Sequence, residues 1–149
     1  MLGCVLLAGV DVALSALTVT EIVSPTVGTV LGGASNRHFI LNTDETVTGA
    51  DAADYMFGAV SGELRVRKTM GPAAANIVAE NITTTGGLVV LSVPCRWHNQ
   101  AQTTCDSEGL NVTLTGNRRL YVGVEFRTSQ FHGGGDTASA SYDITVNLL

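Results

Sequence analysis

Ala138-Ser-Ala-Ser-Tyr-Asp-Ile-Thr-Val-Asn-Leu148 is the stretch that decides the fold class. Ala138, Ala140, Tyr142, Ile144, Val146 and Leu148 fall on one side of an extended chain, and Ser139, Ser141, Asp143, Thr145 and Asn147 on the other. A strand written this way seats one face on a core and gives the other to water. The same period of two recurs upstream. Leu120, Val122, Val124 and Phe126 alternate with Arg119, Tyr121, Glu125 and Arg127, and read as one strand. Val112 and Leu114 share a face, and residues 88–93 form an apolar run of strand length. Leu17-Thr-Val-Thr-Glu-Ile-Val23 has high β-propensity and ends at Ser24-Pro25. A short strand is expected at Phe39-Ile-Leu41, and an acidic loop over residues 42–54. Leu64 and Val66 alternate with Glu63, Arg65 and Arg67 until Met70-Gly-Pro72 interrupts them. Residues 73–82 alone have tolerable helix propensity, and Ile77, Val78 and Ile82 there suit either one amphipathic turn or a strand. Many short strands with turn signals between them, and no long helix, predict an all-β antiparallel sandwich.

Composition narrows the function. The chain has 149 residues, a size typical of one domain, and no repeat or linker divides it. Charged residues are 14%, well below the usual quarter, and 17 glycines accompany many Thr, Ser and Ala. The mean hydropathy is +0.28 and the net charge −5. That balance argues against nucleic acid as a main partner and against stable membrane insertion, since the first needs dense Lys/Arg and the second a longer apolar span. Arg65, Arg67 and Lys68 are expected on a solvent face rather than in a nucleic-acid site.

The first sixteen residues, MLGCVLLAGVDVALSA, support competing readings. A secretory leader would carry a basic start and an unbroken apolar stretch, whereas no basic residue precedes Arg37 and Asp11 interrupts the run. A membrane span needs about 20 apolar residues. As a strand, the segment places Leu6, Ala8, Val10, Val12 and Leu14 on one face with Asp11 turned away. The expected organisation is residues 1–16 as an N-terminal strand or an atypical signal segment, and residues 17–149 as a β-sandwich domain.

Cys95 and Cys105 bracket a polar excursion between apolar strands. Two cysteines with His98 supply only three zinc ligands, and their spacing lacks the close pairing of structural zinc sites. A disulfide is therefore expected, which implies an oxidising compartment. Cys4 has no evident partner. Trp97, in the same hairpin, is either a sugar-contacting platform or a cover over the disulfide. His132-Gly-Gly-Gly-Asp136 reads as a glycine-rich connector, and Asp44, Glu45, Asp51 and Asp54 as a solvated acidic loop without calcium spacing. No nucleophile-elbow, zinc-protease, phosphate-loop or dinucleotide motif occurs. The expectation is a protein that is not an enzyme and needs no metal or cofactor.

Val27-Gly-Thr-Val-Leu-Gly-Gly33 followed by Leu41-Asn-Thr-Asp-Glu-Thr-Val-Thr-Gly49, together with Gly116-Asn-Arg-Arg-Leu-Tyr-Val-Gly123 and the Gly-led strand of residues 135–149, resembles a bacterial family of secreted, pilin-like domains of uncharacterised function. The matching segments cover under half the chain. Asn147-Leu-Leu149 stands where that family closes on a tyrosine, and the cysteine hairpin is not a general family feature. The resemblance implies an immunoglobulin-like sandwich related to chaperone–usher pilus subunits, incomplete and completed by a donor strand from a neighbouring subunit. It implies an extracellular filament on the cell surface, identical subunits joined head to tail, and a periplasmic chaperone and outer-membrane usher as further partners. Residues 1–16 would then be the donor strand, inserting Leu6, Ala8, Val10, Val12 and Leu14 beside the final strand with its Ala140, Tyr142, Ile144, Val146 and Leu148. Burying four large side chains of that donor would contribute about 6–12 kcal/mol before ordering costs. A surface adhesin or carbohydrate-binding module, and a virion coat protein, are the alternative functions that similar strand statistics allow.

Overall fold

The computed structural model describes residues 17–149, which form an all-β fold with every strand pair antiparallel. The proposed donor residues Leu6, Ala8, Val10, Val12 and Leu14, and Cys4, lie outside the described residues. The strands in chain order are β1 (Leu17–Val23), β2 (Thr29–Val30), β3 (His38–Leu41), β4 (Val47–Thr48), β5 (Tyr55–Phe57), β6 (Gly62–Thr85), β7 (Leu88–Ser92), β8 (Pro94–Trp97), β9 (Thr103–Thr104), β10 (Leu110–Val122), β11 (Val124–Thr128) and β12 (Ser139–Leu148). A single 3-10 turn, Ala52–Asp54, precedes β5.

The larger sheet runs β1-β6-β10-β8-β9, with β12 also paired to β6. The 24-residue β6 is its spine. β10 follows one edge of β6, while β1 and β12 share the other edge end to end: Leu17 lies opposite Lys68, and Leu148 opposite Ala75. The second sheet runs β4-β3-β11-β7, and β2 pairs β5 as a separate ribbon. Leu64, Val66, Ile77, Leu114, Leu120, Val122 and Ile144 fill the core on the larger sheet, and Phe39, Leu41, Val124 and Phe126 the core on the smaller one. Val90 packs against both clusters and joins them.

At two places a single residue carries the chain directly from one sheet to the other. Residues 120–127, expected as one strand, divide at Gly123: Leu120 and Val122 face the core from the larger sheet, Val124 and Phe126 from the smaller. A Cβ at Gly123 would overlap the Leu41 carbonyl oxygen, so only glycine fits the corner. The neighbouring chain turns the same corner at Val93, whose N–H donates to Asp106 Oδ1 at 2.7 Å, while Gly123 N donates to the Pro94 carbonyl at 2.8 Å. Strands that switch sheets by a bend make corners of this kind in β-sandwiches.

β6 departs from the sequence reading at the Met70-Gly-Pro72 break and at Lys68. Residues 73–82 take the strand reading of the two open to them, with β10 paired along residues 73–77 and β12 along the other edge from Ala75. Residues 69–72 bulge out opposite the single Thr115, with Met70 and Gly71 at positive φ, so the Met70-Gly-Pro72 break is an excursion within a continuing strand. A second bulge sets Asn81 and Ile82 against Tyr142, with Asn81 in the left-handed region at φ 52°. Lys68 corrects an expectation as well. It shares parity with Leu64 and Val66, not with Arg65 and Arg67, and is only 6% exposed, with Nζ 3.5 Å from the Thr69 carbonyl.

Candidate functional site: an apolar cleft beside the last strand

β12 changes character along its length. Its first half, Ser139-Ala-Ser, carries small side chains, and its second half carries Ile144 and Val146. Outward hydroxyls pair with β6 in a short ladder, Thr85 with Ser139 and Thr83 with Ser141, both at 2.7 Å. On the inward side Ala138 and Ala140 are too short to reach the smaller sheet. The result is a cleft of about 590 Å³ between the sheets. Phe39, Leu88, Val124 and Phe126 line one wall, Ala140 and Tyr142 the other. The Phe39 and Phe126 rings stack at 5.5 Å between centroids, giving that wall a rigid aromatic surface.

Two glycine-bearing loops form the lips. Residues 25–34 and 132–137 both line the cleft, and they are tied together at one point, where Gly33 and His132 exchange backbone hydrogen bonds of 2.9 and 3.0 Å. A Cβ at Gly32 would meet the His132 carbonyl, which explains a glycine at the tie. Leu31, on the rim, is half exposed. Gly133 N donates to Asp136 Oδ2 at 2.7 Å, so the His132–Asp136 stretch is an ordered turn, as expected of a connector.

Tyr142 anchors the wall. Its hydroxyl donates to the Gly123 carbonyl at 2.9 Å, which pins β12 to the sheet corner. Burial, and secondarily the nearby Glu21 carboxylate, push the phenol far above its ordinary range, so it stays a hydrogen-bond donor. Along one edge β12 pairs with β6; along the other it has no strand partner among the described residues. An unpaired edge next to an apolar wall presents both backbone hydrogen-bonding groups and a surface for side chains.

Of the five β12 residues singled out from the sequence, Ala140 and Tyr142 line the cleft. Ile144 and Val146 instead pack into the larger core, and Leu148 is half exposed at the strand end. The side chains from β3, β7 and β11 that make the opposite wall had no sequence signal linking them to β12. Their only mark was alternation, which announces burial and not what lies across the gap.

The other candidates resolve individually. Cys95 and Cys105 are disulfide-bonded and fully buried. Trp97 is buried in the same core cluster as both cysteines and is 4% exposed, so it offers no sugar platform. The acidic loop is committed internally. Asp54 pairs with Arg37 at 2.7 Å, Asp51 accepts from His38 N at 2.7 Å, and Asp44 accepts from the Thr46 hydroxyl at 2.6 Å. Those Thr46 bonds hold the Asp44 carboxyl below its ordinary value. Among the described residues no group of three or more His, Cys, Asp or Glu is placed to hold a metal, and no helix is long and apolar enough to cross a membrane. No family model, curated protein or solved structure matches the chain.

Proposed function

We propose that the protein is a structural subunit of an extracellular filament, assembled when residues 1–16 of one copy enter the cleft of the next. The observation that carries this reading is the apolar cleft itself, open beside an edge of β12 that has no strand partner among the described residues. β-Strand addition meets both demands of such a site: the edge gains backbone partners and alternate side chains enter the cavity. Leu6, Ala8, Val10, Val12 and Leu14 provide those side chains at the right period. A contact from the start of one copy to the cleft of another does not close on itself, so the product is a fibre. The Cys95–Cys105 disulfide is compatible with assembly outside the cytoplasm. In this scheme a periplasmic chaperone covers the cleft until an outer-membrane usher presents the next subunit.

The test compares the full chain with a chain lacking residues 1–16, and with Ala140→Glu and Val10→Asp, by negative-stain imaging. Filaments are expected from the full chain alone. Ala140→Glu should remain folded and monomeric, because its carboxylate reaches the open cleft, while an unpaired charge on the inserted Val10→Asp strand costs several kcal/mol. Filaments from the truncated chain would sink the reading.

A further inference from the structure

A second surface lies on the outer face of the larger sheet. The register places Thr18, Arg67 and Asn117 in one row across β1, β6 and β10, and Thr20, Arg65 and Arg119 in the next. Arg65, Arg67 and Arg119 are exposed. Arg65 and Arg119 are direct cross-strand partners, a position at which like charges are destabilising. Glu63 offsets part of this through an ion pair with Arg119 at 2.6 Å. Among the described residues, Arg65 and Arg67 have no carboxylate within ion-pair distance.

The cluster extends toward β8. Arg118 Nη1 lies 3.5 Å from His98 Nε2, and a cleft of about 300 Å³ opens between Arg65, His98, Asn117, Arg118 and Arg119. His98 is held at φ 50°, with its N–H bonded to the Arg119 carbonyl at 2.8 Å. A non-glycine residue kept in that region costs free energy that the surrounding structure must offset, and such residues gather at binding sites. Five of the chain's eight basic side chains, Arg65, Arg67, Arg96, Arg118 and Arg119, thus collect on one region of a protein with net charge −5.

The chemistry selects an oxyanion, since guanidinium forks match carboxylate and sulfate geometry. It also selects the polymer that bears it. Nucleic-acid single strands are held by aromatic platforms as well as charge. Here the single aromatic ring, Tyr121, is covered by the Arg96 guanidinium at 4.3 Å, and the exposed aromatics Phe57 and Phe131 lie outside this face. What remains is a hydroxyl- and amide-bearing sheet face with spaced cations. We propose that this face binds a linear acidic polysaccharide, with its carboxylate or sulfate groups received by Arg65, Arg67 and Arg119 and one end closed by Arg118 and His98.

Calorimetric titration of the full chain with oligogalacturonate and with dextran sulfate at low ionic strength tests this. Binding of at least one polymer is expected, weakening steeply with added salt. Both exposed arginines can be neutralised without disturbing the core, so Arg65→Gln/Arg67→Gln should keep its thermal midpoint and bind at least about fivefold more weakly. Asn117→Asp, which places a carboxylate on the same row, should weaken binding as well. The polymer that binds distinguishes carboxylate from sulfate recognition. Three results overturn the proposal: no binding of either polymer, undiminished affinity in both variants, or equal or tighter binding of single-stranded DNA of matched charge.

Discussion

Glu125 shows how single side chains knit the smaller sheet. It accepts from the Ser92 hydroxyl at 2.5 Å and meets His38 Nε2 at 2.8 Å, so one carboxylate links three strands. The bulge at Leu91 is what brings Ser92 onto the same face. The Ser92 hydrogen bond holds the Glu125 carboxyl below its ordinary 4.5, against an opposing push from burial and with lesser help from His38. A depressed carboxyl contributes stability above its unfolded value and loses it as pH falls through the folded one. The thermal midpoint should therefore drop as pH is lowered below about 4.5, and Glu125→Gln should flatten that acid limb in a midpoint-against-pH series. Gly123 is the other residue whose replacement is diagnostic. Gly123→Ala forces a Cβ into the Leu41 carbonyl at the sheet corner. It should cost about 1–3 kcal/mol in urea unfolding, whereas Gly134→Ala, with open space around it, should change little. At this scale the sequence was partly legible. Period two identified Leu64, Val66, Tyr142 and Ile144 as inward-facing, because alternation is a local property. The reading failed at Lys68, set with Arg65 and Arg67 on the solvent face although neighbours on a strand point oppositely.

At the scale of elements, local pattern and tertiary context diverge. The segment 120–127 alternates without a flaw, yet it serves two sheets, because the pattern persists through a corner that only Gly123 marks. Residues 73–82 have helix-tolerant composition, and pairing with β10 and β12 overrides it. The hairpin around the disulfide was legible because cysteines declare their spacing. Cys105 also anchors two neighbours: its N–H donates to the Val93 carbonyl at 2.9 Å, and its carbonyl accepts from Ala79 N at 2.6 Å. Replacing both cysteines with alanine should lower unfolding free energy by about 2.7 kcal/mol, from loop closure across their separation of 10 residues. Chemical denaturation with and without reductant measures the effect, and equal midpoints would contradict it. Of the cleft only the β12 wall, Ala140 and Tyr142, was named from the sequence, and the arginine face was not legible. Each is assembled from strands distant in the chain, β12 against β3 and β11 in one case, β6 against β10 in the other, and periodicity reports nothing about which strands become neighbours.

For the whole molecule, β6 is the decisive element: a strand formed early in the chain whose edges are completed late. Its first half waits for residues 116–122 and its second half for both residues 110–114 and β12. During synthesis, then, β1 is already made and pairs one edge of residues 63–68, while β10 and β12 follow β6 in the chain, the last pairing at Leu148. Loop closure over such separations has to be met before any contact rewards it, which makes β-folds of this kind slow to form. The nascent chain therefore remains open to wrong pairings until β12 emerges, and translation speed, crowding at the exit site and any holding factor act on it throughout that interval. Translocation before folding suits such a chain: the same delay that endangers it in a crowded compartment keeps it unfolded enough to be threaded elsewhere.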